Sequence, residues 1–290
     1  IPTFYIAGAP PVHHLKGNRK ARQVGFQECE VVGIVKPITK YAVLVTDLNR
    51  IRYEMEKLLY FATTGRKGPV VLDLPDDLQR QEINPEELEP FTPEPLSNFT
   101  NPNDADIDKA LSMIREAKKP VVIVGAGVKI GSAIENTRKF LKQSNLPFAG
   151  TWSTLDLFLD DEPNFIGSFG VSSTRSGNFA VQNSDLVISL ASRLDTHETG
   201  SNPAQFAIKA KKIMIDIDPH ELKKDNGLLL DLAIQCDIGE FLKKINERSI
   251  KTQDLTDWKN RICEWRKRYP VCLPEYYEQK DKVNPYVFMN

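Results

Sequence analysis

The chain has 290 residues, 41% hydrophobic and 27% charged, with 38 basic against 39 acidic side chains. Such a composition supports a globular core in one large or two medium domains, and a formal charge of -1 gives no electrostatic footprint for nucleic acid or an anionic membrane. No apolar run reaches the ~18 residues of a membrane helix, and the four cysteines, with no CxxC pair or His cluster, read as reduced thiols of a cytoplasmic protein and not as zinc ligands.

The chain opens Ile1-Pro2-Thr3 without an initiator Met, a basic segment or a cleavage site, and runs straight into an apolar stretch, which predicts a piece of a longer protein. Short Val- and Ile-rich runs at residues 4–7 and 70–74 predict strands covered on both faces. Between them, residues 47–64 predict a helix with Leu48, Ile51, Met55, Leu58, Leu59 and Ala62 on one stripe, Asp47 as its cap and Gly65 as its stop. Residues 1–83 thus form an α/β unit with two convincing strands, too few for a closed sheet. Residues 84–104, with five prolines, predict an extended linker.

Residues 105–250 read as a second, complete α/β domain. Strands are predicted at residues 121–124, 186–190 and 213–217, alternating with amphipathic helices at 106–117, 133–143 and 237–246. Alternation of this kind gives a parallel sheet of Rossmann-like type. The remaining residues, 251–290, carry Trp258, Trp265 and a Tyr/Pro-rich stretch but no strand signal, and read as a tail leading toward a further domain.

Three places in this second unit are candidates for ligand chemistry. Gly125-Ala126-Gly127 follows a strand and opens a helical pattern, a turn that lets phosphate approach backbone N–H groups. Its third glycine is Gly131, so the spacing is GxGxxxG, and no acid stands about twenty residues on, which disfavours a nicotinamide dinucleotide. A flavin dinucleotide and a purely packing role for the glycines both stay open. Asp216 and Asp218 end a buried strand at the carboxyl edge, where one can accept from a ribose or adenine and the other cap the next helix. Arg193 follows a strand in the same way, and its planar fork suits either phosphate or a surface carboxylate. His13 and His14 are adjacent, while His197 and His220 stand alone, so neither a triad nor a metal site is indicated.

Taken together, QVGFQECEVVGIVKPITKYAV (residues 23–43), GRKGPVVLDLPDDLQ (65–79), KKPVVIVGAGV (118–128), GNFAVQNSDLVISLASRLD (177–195) and KAKKIMIDIDPHEL (209–222) resemble thiamine diphosphate-dependent enzymes of the acetolactate synthase type. The resemblance implies three domains in the parent: one binding the cofactor's pyrimidine, a central Rossmann-like one holding FAD in some members, and one binding the diphosphate through Mg²⁺. It further implies that the chain supplies the second half of the first domain and the whole of the second, with the activating glutamate and the Gly-Asp-Gly metal motif outside it. The parent is then a carboligase or decarboxylase, a transferase or lyase acting on 2-oxo acids such as pyruvate in a homodimer or homotetramer, and the chain alone is inert. Phe26, Gln27 and Lys40 match a family motif lining the substrate channel. Departures are Gly8-Ala9-Pro10-Pro11 for a Gly-Gln strand end, Ser168-Phe169-Gly170 for Met-His-Gly, and residues 193–200 for RFDDRVTG with the second Asp and second Arg gone, which leaves FAD possible. The competing reading is a non-catalytic module binding FAD, NAD or ADP.

Overall fold

The computed structural model describes residues 1–93 and 101–289. It divides into two compact units, meeting in sequence at Ser97 and Asn98.

In the first unit three parallel strands, β1 (Thr3–Ala9), β2 (Tyr41–Leu44) and β3 (Pro69–Pro75), lie in the order β1-β3-β2. The register pairs Thr3 with Pro69 and Tyr41 with Val70. The expectation of two strands is therefore corrected to three. Four residues, Tyr-Ala-Val-Leu, carry little strand signal, and β2 owes its form to the ladder it makes with β3. The predicted helix forms at Ile51–Thr63, after a 3₁₀ turn over Leu48–Arg50 whose cap is Asp47, and Gly65 follows its end with φ +66°. Leu58 and Ala62 are buried against Val70 and Leu72, but Met55 and Leu59 are exposed, so the buried face is narrower than the predicted stripe.

The start of the proline-rich stretch is not a free linker. Pro85–Glu87 forms a 3₁₀ turn, Arg52 donates to the Pro85 carbonyl (2.8 Å), and the Phe91 N–H donates to Glu56 (2.7 Å). The Phe91 ring packs on Tyr53 and Tyr60, with centroids 5.3 and 5.6 Å apart, so this stretch straps the outer face of the Ile51–Thr63 helix. Part of the linker expectation, residues 94–100, lies outside the described residues.

The second unit holds six parallel strands, β4 (Pro120–Val124), β5 (Phe148–Gly150), β6 (Phe165–Ser168), β7 (Leu186–Leu190), β8 (Lys211–Asp216) and β9 (Leu232–Gln235), in the order β6-β5-β4-β7-β8-β9. Numbered within the unit this is 3-2-1-4-5-6, the doubly wound order in which the direction of winding reverses between β4 and β7. Helices Asp104–Glu116, Ile134–Ser144 and Ile238–Asn246 cover one face through Ile107, Ile114, Phe140, Phe241 and Ile245. Helices Arg175–Gln182 and Thr256–Arg268 cover the other through Ala180, Val181, Trp258 and Ile262. Trp258 also donates from Nε1 to the Pro120 carbonyl (3.1 Å), which makes the first part of the expected tail an integral layer of this unit.

Candidate functional site

In a parallel sheet the carboxyl ends of the strands aim their following loops at one edge, and in doubly wound sheets that edge carries the ligand crevice at the reversal point. In the second unit Gly125 follows β4 and the segment 191–195 leaves β7, so the two face each other at that reversal. Their contact is tight. A Cβ on Gly125 would lie 2.3 Å from the Ala191 carbonyl oxygen, and one on Gly127 would lie 2.5 Å from Ala191 Cβ. The N–H of Gly125 donates to the Leu190 carbonyl (2.9 Å), that of Gly127 to Ala191 (3.1 Å), and those of Val128 and Lys129 to Gly125 and Ala126. Gly131, the third glycine, packs toward Ile238 Cγ2 in the same manner. These glycines answer a packing need, and N–H groups at the turn are already engaged by the protein. No step is routed through a flavin.

The remaining candidates lie at the same edge and have protein partners. Arg193 is half exposed, pairs with Asp195 (2.6 Å) and reaches toward Glu221 (4.0 Å). Asp195 caps the turn Thr196–Thr199, and its carboxyl sits below the ordinary range because Arg193 and the His197 N–H outweigh the cost of burial. Burial raises the carboxyl pKa of Glu198, which receives the Ser192 hydroxyl. Ala191 and Leu194 adopt left-handed φ values of +51° and +48° although neither is glycine. Asp218 caps Pro219–Leu222 by accepting from the His220 N–H (2.9 Å), the capping role foreseen for one acid of the pair. Asp216, 8% exposed, accepts from the Asp218 N–H (2.8 Å). His197 meets the edge of the Trp152 ring at 4.2 Å between centroids.

In the first unit the predicted channel residues separate into two places. Phe26 and Gln27 share the tip of the loop after β1, where a Cβ on Gly25 would lie 2.5 Å from Pro10 Cβ. Phe26 is 88% exposed, and Gln27 has φ +55°. Lys40 instead enters β2 at the amino end of the sheet. Its N–H donates to the Pro69 carbonyl (2.9 Å), its Nζ donates to the Thr64 carbonyl (2.5 Å), and burial of its stem beside Gly68 lowers its pKa. Since β3 is seven residues long, the two places lie roughly 20 Å apart along the strands. The structure brings Phe26 and Gln27 together and does not bring Lys40 to them.

Sequence reasoning passed over two carboxylates that shape this loop. The Asp77 carboxylate accepts the Val12 N–H (3.0 Å), and the Glu28 carboxylate collects the N–H groups of Lys16, Val24 and Gly25. Both stood inside quoted motifs, but nothing local marks a carboxylate that will gather donors from well upstream. A third acid, Asp73 on β3, is 3% exposed, and its Oδ1 has no hydrogen-bond partner among the described residues. Among those residues no group of three or more His, Cys, Asp or Glu is placed to hold a metal ion.

The fold and its crowded carboxyl edge define a two-unit α/β protein whose second unit is a doubly wound domain, with a three-stranded parallel sheet in the unit before it. Residues 107–245 match the family described as thiamine pyrophosphate enzyme, central domain. The chain is similar to the acetolactate synthase large subunit of Haemophilus influenzae, 32% identical over 278 residues, covering 92% of this chain and 48% of that protein. It is likewise similar to that of Corynebacterium glutamicum, 34% identical over 252 residues (84% of this chain, 39% of the relative). The isozyme 3 large subunit of Escherichia coli is 30% identical over 300 residues, covering 98% and 50%. The chain belongs to the thiamine pyrophosphate-dependent, acetolactate synthase-like family, and it spans about half the length of the curated relatives it matches.

Proposed function

We propose that the chain is the framework portion of a thiamine diphosphate- and Mg²⁺-dependent enzyme that decarboxylates a 2-oxo acid such as pyruvate and joins the remainder to a second carbonyl. The observation that carries this reading is similarity running through both units, over 278 residues and in one order, to an acetolactate synthase large subunit. Bound thiamine diphosphate supplies the nucleophilic carbon that attacks the 2-oxo carbonyl and accepts the electron pair released with CO₂. In this reading the chain contributes walls and supports to the reaction. Phe26 and Gln27, carried on a fixed tip, are the proposed lining of the substrate path, and Lys40 belongs to the opposite end of the sheet. The second unit is proposed as a scaffold, because its glycine turn and Arg193 are satisfied by protein groups; the same observation weighs against a free-standing nucleotide-binding module. A cytoplasmic homodimer or homotetramer completes the proposal.

The test is an assay of the full-length product of the encoding gene with pyruvate, thiamine diphosphate and Mg²⁺. Formation of acetolactate is the expected result, and absence of 2-oxo acid turnover would overturn the reading.

A further inference from the structure

The tip at Phe26 and Gln27 is built against two local preferences. Gly25 to Glu28 is a turn closed by the Glu28 N–H on the Gly25 carbonyl (3.3 Å), and its central residues are Phe26 and Gln27. A turn serving only as a connection takes polar residues there, with Gly or Asn where φ is positive. Here a large apolar ring stands 88% exposed, and a glutamine bears a left-handed backbone at φ +55°. Neither choice helps this chain fold. Strain retained in an over-determined surface loop points to a function for the side chains it presents.

What over-determines the loop is a single carboxylate. Glu28 Oε2 accepts from the N–H groups of Val24 (2.8 Å) and Gly25 (3.4 Å), and Oε1 accepts from the Lys16 N–H. The Glu28 carbonyl accepts from Gln23 Nε2 (2.6 Å). Both carboxylate oxygens are therefore committed to backbone donors that precede the tip, which ties the residue after the tip to the chain before it, and Gly25 is pinned against Pro10. Resting on the function proposed above, we propose that Glu28 is a positioning residue: it fixes the Phe26–Gln27 tip so that an aromatic wall and an amide face a small 2-oxo acid in the substrate path.

The consequences separate from those of a merely structural residue. Glu28→Gln keeps the size of the side chain but replaces one acceptor oxygen with an NH₂ group that cannot accept, so one of the two sets of N–H bonds must be lost. In the full-length protein, amide-exchange protection is expected to fall roughly tenfold at Lys16 or at Val24 and Gly25. The KM for pyruvate is expected to rise by about the same factor while kcat stays within about twofold, since the tip orients substrate and does no chemistry. If Glu28→Gln fails to fold, Glu28→Asp, with both oxygens on a shorter arm, is read by the same two measurements. Unchanged protection at all three amides, or a loosened tip with unchanged KM, would overturn the proposal. Wild-type protein that turns over no 2-oxo acid would bring down the functional reading instead, while the exchange measurement would still decide whether Glu28 holds the tip.

Discussion

Two carboxylates of the first unit are held in opposite electrostatic senses, and their pH behaviour differs accordingly. Glu28 has its pKa lowered, chiefly by the Val24 and Lys16 N–H groups that bind its charged form. The stability it contributes to the loop is present above the unfolded pKa and is lost as pH falls through the lower folded one. Asp73 has its pKa raised by desolvation on β3. Its contribution is full below the unfolded value and is lost as pH rises through the folded one, so at neutral pH it weakens the sheet. Asp73→Asn removes the charge at nearly constant shape. At pH 7 the variant is expected to be more stable than wild type by about 1 kcal/mol in urea unfolding, with the gap closing as pH falls into the carboxylate range. A loss of stability at pH 7 would contradict the view that this carboxylate lacks a compensating partner. Such effects are hard to read from sequence: the block containing Asp73 was recognisable, but its burial depends on strands β1 and β2 laid along β3.

At the scale of elements, what was legible followed from hydrophobic runs long enough to carry their own signal. Strands β4, β7 and β8 and the four amphipathic helices appear within a few residues of their expected places, because Val and Ile runs and i, i+3, i+4 spacing reflect burial directly. Strands β2, β5, β6 and β9 have three or four residues each and are held by pairing with neighbours, a non-local cause. The glycine turn shows the same limit. The strand-glycine-helix pattern was visible, but its partner, the loop at Ala191 and Ser192, comes from a distant part of the chain. The structure gives Gly127 a packing role in its own right, because it lies against Ala191. Gly127→Ala would set a methyl group 2.5 Å from Ala191 Cβ and 2.9 Å from its carbonyl oxygen. It is expected to cost about 1–3 kcal/mol of stability in thermal or denaturant unfolding, with no ligand present. An unaltered unfolding midpoint would show that the β4 and β7 ends can separate cheaply and would reopen the turn to a phosphate.

For the whole molecule the central claim is a division of labour. Two α/β units place a preorganised tip and a packed central scaffold, while the groups that activate thiamine diphosphate and bind its Mg²⁺ are proposed to come from elsewhere in the parent enzyme. The most direct measurement is pyruvate consumption by the purified 290-residue chain supplied with thiamine diphosphate and Mg²⁺, run beside the full-length product. The account predicts turnover by the full-length product and, for this chain, a rate indistinguishable from buffer with no saturable cofactor binding below about 100 μM, an affinity weaker than roughly -5.5 kcal/mol. Pyruvate consumption by the 290-residue chain above the buffer blank would contradict it.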